Sequence, residues 1–92
     1  MTERASVALP NRNGLHARPA HLFVQTANEF QAEIRVRREG DAGDPVDGKS
    51  IMSMMMLAAE HGAVLEIEAE GDDEAAAVTA LRDLVASGFG EE

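Results

Sequence analysis

Apolar and polar residues trade places along this chain with two different periods. Leu65, Ile67 and Ala69 alternate with Glu66, Glu68 and Glu70, and that period of two predicts a strand with one face in water. Ala32, Ile34 and Val36 alternate in the same way with Glu33, Arg35 and Arg37, which predicts a second half-buried strand. Ala5 to Leu9 is a short β-compatible run that ends at Pro10. Val46-Asp47-Gly48-Lys49 is a short, poor strand whose Gly and Asp suit a sheet edge. Elsewhere the period is helical. Ala20, Phe23, Val24 and Ala27 predict a helix from about His16 to Asn28, with Pro19 in the first turn, where its missing N–H matters little. Ser50 reads as the N-cap of a second helix, Ile51 to about Glu60, ended by His61-Gly62. Gly71-Asp72-Asp73 caps a third, whose apolar face is Ala77, Leu81, Leu84 and Val85 and which ends at Gly88. Turn residues fill Asn11-Arg12-Asn13-Gly14 and the loop from Gly40 to Pro45.

The order is β-α-β-β-α-β-α. Each strand has one apolar face, so the helices must all cover that face, joined to the strands by right-handed crossovers. The expected fold is α+β: an open-faced sandwich of four mostly antiparallel strands under three helices. The glutamates of the last strand line its solvated side.

Size and charge narrow what such a fold can do. At 92 residues the chain reads as one domain, 1–92, with room for one modest core and no deep cleft. The absence of cysteine excludes disulfides and thiolate metal sites and suits a reducing compartment. The start of the chain carries no long apolar run, and no stretch nears the roughly 20 apolar residues of a bilayer span. A cytoplasmic protein with no membrane association is the expectation. With 17 acidic residues against 8 basic ones, the net charge of −9 disfavours nucleic acid, and three Phe are the whole aromatic complement for base stacking. The acids are spread over several elements, which reads as solubility rather than steering.

The chemistry concentrates in Asn13-Gly14-Leu15-His16-Ala17-Arg18-Pro19-Ala20. His16 stands at a helix start entered through a glycine turn. The N–H groups of Ala17 and Arg18 there have no intrahelical acceptor, and the helix dipole favours an anion beside them. A phosphoryl group on the ring of His16 meets backbone donors at Ala17 and Arg18, and a planar guanidinium fork on Arg18. A neutral ring nitrogen is a nucleophile, and in-line phosphoryl transfer asks mainly for positioning and charge stabilisation. A histidine at a helix start is, by itself, as well explained as a cap or a surface residue.

The neighbours separate those two readings. Gly14-Leu15-His16-Ala17-Arg18-Pro19-Ala20 resembles the active-site signature of HPr, the histidine-containing phosphocarrier of the phosphoenolpyruvate-dependent phosphotransferase system. Lys49-Ser50-Ile51-Met52 resembles the second signature of that family, and the element order is similar to its fold. The resemblance implies that His16 accepts the phosphoryl group through Nδ1 and that Arg18 stabilises it. Enzyme I is then the donor, itself phosphorylated from phosphoenolpyruvate, and an IIA-type protein or domain the acceptor. It implies a phosphoryl-transfer intermediate rather than a free-standing enzyme, acting as a monomer without cofactor or metal. In some members the serine matching Ser50 is phosphorylated by an HPr kinase/phosphorylase, which blocks the histidine route. The residues after that serine help form the docking surface, so Ile51, Met52 and Met55 are the docking candidates here.

Met52, Met54, Met55 and Met56 crowd a helix too short to bury them all, and Met54 and Leu57 suit the core best. Methionine is common at surfaces that adapt to several partners. The chain departs from the commoner family pattern at Ser53, where many members carry Gly, and in a longer loop from Asp41 to Pro45. The run from Val46 to Ala59 is more similar to the nitrogen-regulatory branch than to the sugar-transport one. A second reading keeps the fold but makes the chain a regulatory interaction protein that docks through Ser50 and the Met patch. His16 and Arg18, both present, favour the carrier. His21 lies about 140° around the helix from His16, so the two cannot share a metal. His21 and His61 read as surface residues.

Overall fold

Strand β4 (Val64–Glu70) is the middle of the fold because it has a neighbour on each side. The structure, a computed structural model, describes residues 2–90. Strand β1 (Thr2–Ala8) pairs antiparallel with β4 on one side, and β2 (Glu33–Arg38) on the other. Strand β3 (Val46–Asp47) closes the sheet on the far edge of β2, giving the order β1-β4-β2-β3. Every pairing is antiparallel. The register puts Ala5 and Val36 opposite Ile67 from either side, so the apolar halves of three strands meet on one face. Gly48 follows β3 because a Cβ there would sit 2.6 Å from the Ile34 side chain.

Helices α1 (Ala17–Ala27), α2 (Ile51–Met55) and α3 (Glu74–Ala86) complete the set. Phe23, Leu9, Ile34, Met54, Leu65, Ile67 and Leu81 are fully buried. Helix α1 buries Pro19, Ala20, Phe23 and Ala27, as its period predicts, with Val24 half-buried at the margin. Helix α3 buries Val78 where Leu84 was expected, because the buried stripe runs through Ala77, Val78, Leu81 and Val85 and leaves Leu84 at its rim.

The other face of the sheet is wet, as the alternation requires, and more organised than the alternation says. Glu68 lies between Arg4 and Arg35 in register, and both guanidinium groups reach its carboxylate at 2.9 Å. Arg35 also pairs with Glu33 at 2.9 Å and Glu70 at 3.1 Å, two carboxylates that stand directly opposite each other. Arg37 pairs with Glu66 at 2.7 Å. The guanidinium groups of Arg35, and then of Arg4, hold the Glu68 carboxyl below the usual range.

Three expectations need correction. Strand β1 begins at Thr2 rather than Ala5, because Glu3 and Arg4 join the ladder despite their polarity. Helix α2 stops at Met55 rather than near Glu60. Leu57 and Ala58 donate to Met54 and Met55, three residues back, and Ala58 turns to a φ of 50°. Ala59 then lies outside the helix and is buried, and its carbonyl accepts the Leu15 N–H at 2.9 Å. That tertiary bond overrides the helical preference of the run. Asp73 stands at the N-cap position of α3 but does not cap it. Its carboxylate accepts instead from the N–H groups of Gln31 and Ala32, both at 2.8 Å, pinning the α1–β2 loop. Beyond α3 the chain makes a further 3-10 turn, Gly88–Gly90, that folds Phe89 back into the core.

Candidate functional site

The site is built from a turn, a helix entry and one long-range bond. The Gly14 N–H donates to the Asn11 carbonyl at 3.1 Å, and the Asn11 amide donates to the Gly14 carbonyl at 2.6 Å. This closes the turn. Gly14 has a φ of 63°, and a Cβ on it would lie 2.7 Å from the Ala59 carbonyl oxygen, so only glycine fits. Leu15 is buried and is tied to Ala59. His16 follows at the N-cap of α1 in extended conformation, half-buried.

The entry to α1 is open at its donors. The first intrahelical bond runs from the Ala20 N–H to the His16 carbonyl, 3.0 Å. The N–H groups of Ala17 and Arg18 precede it and have no acceptor among the described residues. Pro19, next in line, has no N–H to satisfy and buries its ring. The His16 side chain is not used to cap its own helix. Arg18 is exposed, and no carboxylate among the described residues pairs with it. A half-accessible imidazole, two outward amide donors and a guanidinium thus share the first turn of one helix.

Ser50 sits at the corresponding place on α2. Its Oγ accepts the Ser53 N–H at 3.3 Å, as a capping serine does. Lys49 is structural: its ammonium donates to the Phe30 carbonyl at 2.7 Å, and the Asn28 amide donates to the Lys49 carbonyl. Of the methionines, Met54 is fully buried, while Met52 and Met56 are 76% and 79% exposed, with Ile51 and Met55 near 40% (39% and 43%). Met56 belongs to this patch and the sequence pattern missed it, because a helix running to Glu60 gives it no special place. Ala58, next to the buried Leu57, is exposed. Helix α2 packs against α1, and the chain just beyond the patch bonds to Leu15, the residue before His16.

His21 and His61 both lie at the surface. His61 Nδ1 donates to the Asn11 carbonyl at 3.2 Å and so braces the turn that carries His16. No helix of the described residues is long and apolar enough to cross a membrane.

Fold and site together are those of a small protein that presents one histidine at a helix entry. Residues 3–87 match the family model for the PTS HPr component phosphorylation site. The chain belongs to the HPr family and is a phosphocarrier of the phosphotransferase system. It is 47% identical to the phosphocarrier protein HPr of Neisseria meningitidis over 88 residues, 96% of each chain. It is 39% identical to the phosphocarrier protein NPr of Proteus mirabilis over 92 residues, the whole of both. A crystal structure of HPr from Thermoanaerobacter tengcongensis superposes with a TM-score of 0.89 at 47% identity, covering 98% of each chain. Its partners are accordingly proteins of the phosphotransferase system.

Proposed function

We propose that His16 is the phosphoryl acceptor, through Nδ1, taking the group from phosphorylated Enzyme I and passing it to an IIA-type protein or domain. The observation that carries this is the open first turn of α1, where the N–H groups of Ala17 and Arg18 directly follow His16 and have no acceptor among the described residues. In the forward step the ring nitrogen attacks phosphorus in line, the new N–P bond forms, and the bond from phosphorus to the donor breaks. The amides of Ala17 and Arg18 and the Arg18 guanidinium receive the phosphoryl oxygens. Half-exposure of His16 lets two protein partners reach the same nitrogen in turn.

Ile51, Met52, Met55 and Met56 are the docking surface for both partners in this reading, being the large apolar side chains left exposed beside the site. Ser50, at the edge of that surface, is the position where an HPr kinase/phosphorylase adds charge and weakens docking. The carrier works in the cytoplasm as a monomer. Incubation with phosphoenolpyruvate and Enzyme I tests the assignment by intact mass. One acid-labile phosphoryl group is expected, lost completely in His16→Ala; a phosphoryl group retained by that variant assigns the acceptor elsewhere.

A further inference from the structure

Four of the five methionines fall within residues 52–56, and the chain has no Cys, Trp or Tyr. Thioethers are therefore its side chains most open to two-electron oxidation. Burial divides them sharply. Met54 has no exposed surface, while Met52 and Met56 are each more than three-quarters exposed. The Met56 N–H donates to the Met52 carbonyl at 3.2 Å, so the two residues stand one helical turn apart on the same side of the backbone, both exposed. That side is the apolar patch beside the His16 turn. A patch whose apolar character rests on thioethers depends on the oxidation state of their sulfur.

We propose that Met52 and Met56 form a reversible oxidation site that weakens the carrier's hold on its partners. This rests on the docking role given above to the same patch. The oxidant is a hydroperoxide. A sulfur lone pair attacks one peroxide oxygen, and the S–O bond forms as the O–O bond breaks. The attacked oxygen gives its proton to the departing one, which leaves as water from hydrogen peroxide. Sulfur loses two electrons and the peroxide gains them. A sulfoxide reductase restores the thioether, two thiols being oxidised to a disulfide while the oxygen leaves in water. The sulfoxide is strongly polar, and a docking partner must strip it of water without offering a matching donor. Met54, inside the core, is shielded, so the fold and the His16 turn persist while docking weakens.

The test treats the intact chain with hydrogen peroxide, maps oxygen gain by peptide mass, and measures phosphoryl acceptance from phosphorylated Enzyme I before and after. Met52 and Met56 are expected to gain oxygen before Met55, with Met54 unchanged. The KM for the carrier is expected to rise about tenfold and kcat to stay within about twofold, the loss being one of binding. Treatment with the reductase restores the original KM. The Met52→Leu/Met56→Leu pair has its own untreated rate, and the quantity read is its treated-to-untreated ratio, expected near unity. An unchanged KM in the oxidised wild-type chain overturns the proposal, as does an equal loss in the leucine pair. If the untreated chain accepts no phosphoryl group, the function proposed above fails and takes this inference with it. A chain that accepts phosphate equally well before and after oxidation sinks this inference alone.

Discussion

Helices α1 and α2 begin in the same way and end up doing opposite things with their first turns. Each has an N-cap residue in extended conformation, and in each the first helical bond returns to the N-cap carbonyl: Ala20 to His16, Met54 to Ser50. In α2 the third helical residue is Ser53, whose N–H is taken by the Ser50 hydroxyl. In α1 that residue is Pro19, which has no N–H to offer. The ring of His16 is thus not drawn into a cap, and the two amides that remain, on Ala17 and Arg18, face outward. The difference lies at the third helical position: α2 has an amide there that its cap engages, whereas α1 has no amide there and leaves its N-cap side chain out of the cap.

Removing the cation from the open end is the largest test of that difference. Arg18→Ala is expected to slow phosphoryl acceptance about a hundredfold, the usual effect of deleting one donor to a developing charge. Because Arg18 is exposed and fills no space in the core, the urea midpoint should stay where it is. Arg18→Lys should recover part of the rate, keeping the charge without the planar fork. Stopped-flow transfer from Enzyme I beside equilibrium unfolding separates these outcomes, and an unfolded Arg18→Ala at neutral pH contradicts the assignment.

The closed end gives a smaller and split response. Ser50→Ala removes the acceptor for the Ser53 N–H and is expected to destabilise the chain by about 1 kcal/mol, lowering Tm by about 4–8 °C, with transfer kinetics little changed. Ser50→Asp keeps a good capping acceptor, so stability holds. Its charge beside Ile51 and Met52 should slow acceptance from Enzyme I about tenfold at low ionic strength, an effect that fades as salt is added. A rate for Ser50→Asp that is unchanged at every salt concentration removes the electrostatic role given to this position.

What the sequence made legible follows the same division. Strands with a strict period of two, and a first helix with a clear apolar stripe, were read correctly because burial alone shapes them. The entry to α1 was legible too, since Gly14, His16 and Pro19 each restrict the backbone or its donors in a way that local chemistry dictates. The end of α2 was not. Nothing in Leu57-Ala58-Ala59 opposes helix, and only the distant Leu15 N–H and the fit of Gly14 against Ala59 pull it open. Met56 was left out of the docking candidates for that reason. Arg4 hid the length of β1 in the same way, because its partner, Glu68, lies 64 residues on.

Helix α3 offers a third entry and the finest test, because its N-cap carboxylate serves another element. The N–H of Gln31, and then that of Ala32, hold the Asp73 carboxyl below its ordinary value of 3.8. A carboxyl whose pKa is depressed on folding contributes stability that is fully present above the unfolded value and is lost as pH falls through the folded one. Asp73→Asn leaves one side-chain oxygen for two amides and removes the charge. Its urea midpoint is expected below that of the wild type by a constant amount at neutral and mildly acid pH. The gap should then narrow below pH 3.8 as Asp73 itself takes up a proton. Glu68 loses its own advantage in the same acid range, but both proteins carry it, so the difference between them isolates Asp73. Phosphoryl acceptance at His16 should be unaffected, since the loop that Asp73 pins lies at the far end of α1 from that ring. A gap that stays constant through the whole acid range would assign the effect of Asp73→Asn to packing and not to the charged hydrogen bonds.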